Sequence, residues 1–271
     1  MKIRKIDAFA VSFEPDSNAD QRTDQENYED HFIAKNEWTS IYSRRFQTTL
    51  VRIEIDNGAV GWGEGQSPVS PRTVKTIIDD LCSPLIIGQN PLDVEYIWYR
   101  LYSAMRERGH ITGFYLDALA AIDLALYDVI GKIQGLPVHR LIGGRFRDRV
   151  PVYAGISGVE AEEVVAAAVE HVSYGYKAIK MHLRHPNRDL IDIVEMVRSA
   201  VGDEIVLMVD VYTTRDISSA IQLGHGLQKL GVRWLESPTA PEDELGHAEI
   251  SRALDIQVAS GEWLRTAWEW R

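Results

Sequence analysis

Cysteine is almost missing from this chain. Cys82 stands alone among 271 residues, which excludes an internal disulfide and fits a reducing compartment. Long apolar runs are missing too. None approaches the roughly 18–20 residues needed to span a bilayer, and the opening M-K-I-R-K-I-D-A-F lacks the apolar core of a secretory leader. Positive charge is scarce, with 29 Lys and Arg against 40 Asp and Glu for a net charge of −11. That balance argues against nucleic acid and against an anionic membrane as partners. An acidic substrate stays possible, because a bound metal can invert the local field. The chain is therefore expected to be soluble and cytoplasmic.

What remains is ordinary globular material, 45% apolar and 25% charged, enough for one large domain or two modest ones. Lys2 to Phe13 alternates as an opening strand, and Glu14 to Asn36 is a polar stretch that reads as a mobile loop or as a flap over a ligand site. Phe46 to Ile55 alternates again, Asp56-Asn57-Gly58 supplies a hairpin turn, and Ala59 to Glu64 returns. The glycines of that return strand lack the G-x-G-x-x-G spacing and the strand-to-helix setting of a phosphate loop, so nucleotide binding is rejected.

From Arg72 to Gly144 the pattern is helical. Val74, Ile77, Ile78 and Leu81 are expected on one face, and Val94, Ile97, Trp98, Leu101 and Tyr102 on another. Tyr115 to Gln134 is the strongest helix; its Asp117, Asp123 and Asp128 do not stack, and read as solvated edges or local caps. Gly135 to Arg149 reads as a linker, which divides the chain into an α+β domain over 1–145 and a second domain over 146–271.

The second half is rhythmic. Strands are expected at Val150–Ile156, Tyr176–His182, Ile205–Val211, Val232–Glu236 and Ile256–Ser260, with helices between. Short apolar runs alternating with helices imply parallel strands buried on both faces. Without a dinucleotide fingerprint, and with polar residues at one strand end after another, a TIM-type (β/α) barrel is favoured over a doubly wound sheet. A closed barrel needs eight strands. About five are counted, so the barrel is incomplete and the chain is expected to be a fragment, inactive alone.

Three of those runs close on an acid: V-L-M-V-D at Asp210, V-R-W-L-E at Glu236 and I-Q-V-A-S-G-E at Glu262, with 26 residues from each to the next. Carboxylates at successive strand ends face one barrel mouth, and converging carboxylates call for a cation. A hard divalent ion with oxygen ligands, Mg²⁺, is the simplest. One strand earlier, in K-A-I-K-M-H, Lys180 and His182 project together. A lysine near a cation would have its pKa pushed down, as a general base requires; the bland alternative is a structural ion pair. His182 could orient that amine, keep it neutral or touch substrate. Tyr212, on the face of Asp210, could donate to a substrate oxygen or pack the barrel rim. His185 alone, with no cysteine and no H-E-x-x-H helix, is weak grounds for zinc. Trp98, Trp234 and Trp263 read as packing.

With an α+β domain, then K-x-H, then D, E and G-E in the contexts W-L-E-S-P and A-S-G-E, the chain resembles the mandelate racemase-like branch of the enolase superfamily over essentially its whole length. That resemblance implies Asp210, Glu236 and Glu262 as Mg²⁺ ligands and Lys180 as the base of the second strand. It also implies a capping N-terminal domain whose loops around residues 14–45 choose the substrate. Two features depart from the commoner pattern: Tyr212 where many members have Asn, and His182 in place of a second lysine. The family's His–Asp dyad and final Glu belong to strands six to eight. The implied reaction is abstraction of a proton α to a carboxylate, a chemistry paired with Mg²⁺ in this superfamily. The leading expectation is an acid-sugar (aldonate or aldarate) dehydratase, with a racemase, epimerase or cycloisomerase as alternatives and a silent scaffold as a third. A small carboxylate is the expected partner, and the full-length protein is expected to be a homo-oligomer.

Overall fold

The computed structural model describes residues 1–14, 27–28, 32–33 and 40–270. It divides into two compact units, Met1–Asp148 and Arg149–Arg271. No helix among the described residues is long and apolar enough to cross a membrane.

In the first unit, β1 (Ile3–Phe13) is followed by the short strands β2 (Asn27–Tyr28), β3 (Phe32–Ile33) and β4 (Tyr42–Ser43), then by β5 (Phe46–Ile55) and β6 (Val60–Gly65). β2 pairs with β3 and β3 with β4, so the stretch read as one polar loop contains the pair β2–β3; its role as a flap falls outside the described residues. β1, β5 and β6 form an antiparallel sheet in the order β1-β5-β6. The alternation of β5 sends Thr49, Val51, Ile53 and Ile55 into the core. Gly58 turns the hairpin at φ 86°, and Asn57 Oδ1 accepts the Ala59 N–H at 3.0 Å.

Helices follow: α1 (Pro71–Ile77), a π-helical turn over Ile78–Cys82, α2 (Ser83–Ile86), α3 (Val94–Arg106), α4 (Phe114–Gln134) and the short α5 (Val138–Leu141), which lies inside the expected linker. The π turn adds a residue to the face count. Cys82 therefore joins Val74, Ile78 and Ile86 in the core, and Leu81, expected there, is exposed. α4 lies on β6 at backbone contact. A Cβ on Gly61 would fall 2.1 Å from the Ala125 carbonyl oxygen, and one on Gly63 would fall 2.0 Å from that of Ala121. These glycines serve close packing of helix on strand.

The α4 aspartates differ in setting. Asp117 is buried, and Asp128 accepts the Trp62 N–H at 2.7 Å and pairs with Lys132 at 2.6 Å. Burial, with the charge of Glu95, pushes Asp123 up to about 6.

The second unit repeats strand and helix: β7 (Ala154–Ser157), α6 (Ala161–Ser173), β8 (Ala178–His182), α7 (Asn187–Val201), β9 (Val206–Asp210), α8 (Ile217–Lys229), β10 (Val232–Glu236), α9 (Glu244–Ala253) and β11 (Gln257–Ala259). β7, β8 and β11 are shorter than their apolar runs, because pairing begins or ends inside them. The parallel sheet runs β11-β10-β9-β8-β7, in unbroken chain order. A doubly wound sheet would reverse its order at a switch point; this one winds one way, as a barrel does. Ile179, Met181, Leu183, Leu207, Val209, Val211 and Leu235 fill the core between sheet and helices. The result is an α/β protein with a partial (β/α) barrel of five strands.

Candidate active site

Strand register decides which side chains can meet. Ser157 pairs with His182, His182 with Asp210, Asp210 with Glu236, and Glu236 with Ala259. One step back, Gly155 pairs with Lys180 and Lys180 with Met208. Since Ile179, Met181, Leu207 and Val209 face the helices, Lys180, His182, Asp210 and Glu236 share the opposite face. Gly155 leaves space there: a Cβ on it would stand 3.5 Å from His182 Nε2.

Lys180 and Asp210 are buried, 9% and 5% exposed. The Lys180 ammonium donates to Glu236 Oε1 at 2.8 Å and stands 3.9 Å from Asp210 Oδ2. His182 Nδ1 approaches Asp210 Oδ2 at 3.3 Å, and Asp210 Oδ1 accepts the Tyr212 N–H at 3.0 Å. Glu236 Oε2 accepts the Trp234 indole N–H at 3.0 Å. Burial of Asp210 alone would raise its carboxyl pKa, but the His182 hydrogen bond, the Tyr212 N–H and the charges of His182 and Lys180 bring it below the ordinary value. The lowered pKa expected of Lys180 supposes a cation beside it; the protein groups alone act the other way. Burial pulls it down, but the hydrogen bond and charge of Glu236, with help from Tyr153 and Asp210, leave it raised.

Glu262 follows shortly after the end of its strand. β11 ends at Ala259, and Gly261 turns the chain at φ 98° before Glu262. Glu262 lines a cavity of about 50 Å³ with Thr213, Ser237, Ser260 and His247. It still shares the field of the site: burial first, then the charges of Asp210 and Glu236, push its carboxyl up, against Lys180 and His182. Among the described residues no three His, Cys, Asp or Glu side chains are gathered so as to hold a metal ion. The reason is local. Lys180 sits between Asp210 and Glu236, and Glu262 is carried past its strand end. In donor type the set still fits: three carboxylates sharing one field are the all-oxygen donors that a hard divalent cation takes.

The rim is built under strain. Tyr212 (φ 55°), Thr213 (φ 60°) and Ser237 (φ 49°) hold left-handed backbone without glycine, a costly conformation that clusters at functional sites. Thr213 N–H bonds the Ser237 carbonyl at 2.7 Å, and Ser237 N–H that of Ala259 at 2.9 Å, tying successive loops together. Arg215 links them to the first residue of α7 through Asn187 Oδ1 at 2.8 Å and to the loop after β8 through the His185 carbonyl at 2.5 Å. His185 bonds the Val159 carbonyl at 2.7 Å, a loop contact.

Three side chains escaped the sequence reading. Trp234, assigned to packing, holds Glu236. The Tyr153 ring centre lies 5.5 Å from Lys180 Nζ, and the Arg184 guanidinium 3.8 Å from the centre of the Tyr212 ring. The same two-residue period that coupled Lys180 with His182 would have found Arg184 and Trp234.

Fold and row together define a class: (β/α)-barrel proteins with acids at successive strand ends, preceded by an α+β unit. Comparison with known proteins makes it specific. A family described as mandelate racemase / muconate lactonizing enzyme, N-terminal domain, matches residues 31–143, and one described as enolase C-terminal domain-like matches 163–271. A D-galactarolactone cycloisomerase from Agrobacterium fabrum is 34% identical over 218 residues, 79% of this chain and 57% of that protein. A D-xylonate dehydratase from Haloferax volcanii is 30% identical over 249 residues, 83% of this chain and 58% of that protein. A racemase from Streptomyces coelicolor, solved with bound magnesium, superposes with a TM-score of 0.84 at 26% identity, covering 98% of this chain and 71% of that one. This chain belongs to the mandelate racemase branch of the enolase superfamily. It spans less than two thirds of the length of these two curated relatives.

Proposed function

We propose that this chain carries the metal-binding half of the active site of an acid-sugar dehydratase, which removes the proton α to a carboxylate and then eliminates a β-hydroxyl as water. The observation that supports this most directly is the contact row Glu236–Lys180–Asp210–His182 on one face of the barrel sheet. It sets an amine beside carboxylates and an imidazole at the end of the strand.

Asp210, Glu236 and Glu262 are the residues that would hold Mg²⁺, which when bound supplies positive charge to the enediolate oxygens that form as the proton leaves. Lys180 is the base. Its contacts with Glu236 and Asp210 hold its proton, so it accepts the α-proton only once those contacts are broken. His182 is steered through Nδ1 by Asp210, leaving Nε2 over Gly155; an imidazole so held can carry a proton to the departing hydroxyl. Trp234 keeps Glu236 oriented by its indole N–H, and Tyr212 fixes Asp210 through its backbone.

The test is to assay the full-length protein, with Mg²⁺, against a library of aldonates and aldarates for 2-keto-3-deoxy acids. No turnover of any member would refute the reading. A second reading, racemisation or cycloisomerisation, has the cycloisomerase and racemase relatives in its favour. Solvent deuterium entering recovered substrate without a 2-keto product would select the racemase.

A further inference from the structure

We propose that Arg184 is a specificity-determining residue that clasps a second carboxylate at the far end of the substrate, so that the site prefers a diacid, an aldarate, over the corresponding aldonate. The inference deepens the acid-sugar reading and rests on it.

The placement follows from alternation. Leu183 N–H bonds the Asp210 carbonyl at 3.0 Å, so the ladder of β8 runs one residue beyond His182. Ile179, Met181 and Leu183 are all fully buried in the core behind the sheet. Lys180, His182 and Arg184 are therefore placed on the active face, ordered from the centre of the site outward. The guanidinium of Arg184 stacks 3.8 Å from the Tyr212 ring centre, and that ring lies 5.8 Å from the imidazole of His182. Tyr212 is not free to drift, since its backbone is held at φ 55° with its N–H on Asp210. The backbone so held sets where the ring starts, and the ring packs against the guanidinium.

Span and charge agree. The Tyr212 ring has the Arg184 guanidinium 3.8 Å from its centre on one side and the His182 ring 5.8 Å away, a span comparable with the roughly 6 Å between the ends of an extended six-carbon chain at about 1.2 Å per bond. A substrate whose reacting end lies at Lys180 and His182 thus brings its other end to Arg184. At the centre, Asp210, Glu236 and Glu262 repel a second carboxylate, which must find its own cation elsewhere. A guanidinium stacked on an aromatic ring offers the planar, two-pronged edge that suits a carboxylate, and leaves a neutral terminal hydroxyl with less to gain.

The experiment compares galactarate with galactonate, which share stereochemistry and differ at one end. Full-length wild-type protein, R184M and R184K are each assayed with Mg²⁺ for kcat and KM, and both acids are titrated calorimetrically. Wild type should favour the diacid. R184M should lower kcat/KM for galactarate by about 30- to 100-fold, the worth of a charge-assisted two-pronged contact, mainly through KM, and change galactonate less than about 3-fold. R184K should restore only part of the loss, because an ammonium lacks the fork. Equal losses on both acids, an unchanged galactarate value, or a wild type indifferent to the second carboxylate would each overturn the proposal. Should wild type release no 2-keto acid from either, the dehydratase reading fails. The Arg184 proposal is then decided by the titrations, where R184M must abolish the diacid preference. R184M keeps an aliphatic chain on Tyr212, and unchanged circular dichroism separates a lost clasp from a lost fold.

Discussion

Replacing Lys180 by Met removes the positive charge that lies between a buried carboxylate, Asp210, and a part-buried one, Glu236. The Lys180, Asp210 and Glu236 side chains are 11%, 7% and 14% exposed, so water cannot fully take over the lost contacts. Removing one member of a buried ion pair costs about 3–5 kcal/mol, because the other charge is left uncompensated. Here both acids keep partners: Asp210 retains His182 and the Tyr212 N–H, and Glu236 retains the Trp234 indole. The low end, about 3 kcal/mol, is therefore expected. The assay is urea unfolding at pH 8 in EDTA, following tryptophan fluorescence and fitting the two units as separate transitions. Mg²⁺ should then stabilise Lys180→Met more than wild type, since the variant's carboxylates have no ammonium to give up; at about 100 times Kd the gain is about 2.7 kcal/mol. At pH 5 the deficit in EDTA should narrow, as one carboxylate takes a proton in place of the missing neighbour. A variant as stable as wild type in EDTA would show that the ammonium compensates nothing. Equal gains from Mg²⁺ in both proteins would refute the idea that lysine and cation compete for the same carboxylates.

Three further outcomes are expected. Asp123, raised from 3.8 to about 6 by burial and Glu95, binds its proton more tightly folded than unfolded. Stability should therefore fall as pH rises from about 4 to 6 and stay lower above. Asp123→Asn should remove that slope and gain about 1–2 kcal/mol at pH 7.5, after discounting the full shift for solvent screening, with no gain at pH 4; urea midpoints across pH are the check. Gly63→Ala drives a methyl into the α4 backbone and should cost about 3 kcal/mol or more, whereas Gly58→Ala, in open space at φ 86°, should cost about 1 kcal/mol by the same denaturation measurement. Thr213→Gly relieves a β-branched residue at φ 60° and should raise stability by roughly 1 kcal/mol, while lowering kcat/KM as the rim around Tyr212 loosens.

How much of this could be read from the chain follows from how far each signal reaches. Alternation in β5 and the βα rhythm after residue 149 are local patterns, and they fixed strand identity and the shared face of Lys180, His182 and Asp210. The helical face through Val74 and Ile78 was read correctly up to Ile78. It failed at Leu81, because an i→i+5 turn is set by packing and has no spacing of its own. The placing of Glu262 was less legible: its 26-residue interval matched the others, but a positive-φ turn at Gly261 lies between the strand end and the acid, and counting residues does not register a change of direction.

The charge state of Lys180 lay further out of reach. Sequence could say that a lysine and carboxylates share a face, but whether its proton is held or released depends on which of them touches it. With Glu236 at 2.8 Å the attraction outweighs burial, and the shift takes the opposite sign to the one a nearby cation would impose. The two readings of Lys180, base and ion-pair partner, thus describe the same residue with and without its carboxylate contacts. That is why the site can be built around an amine that rests protonated: the contacts that stabilise the fold at this point are the ones that proton abstraction must break.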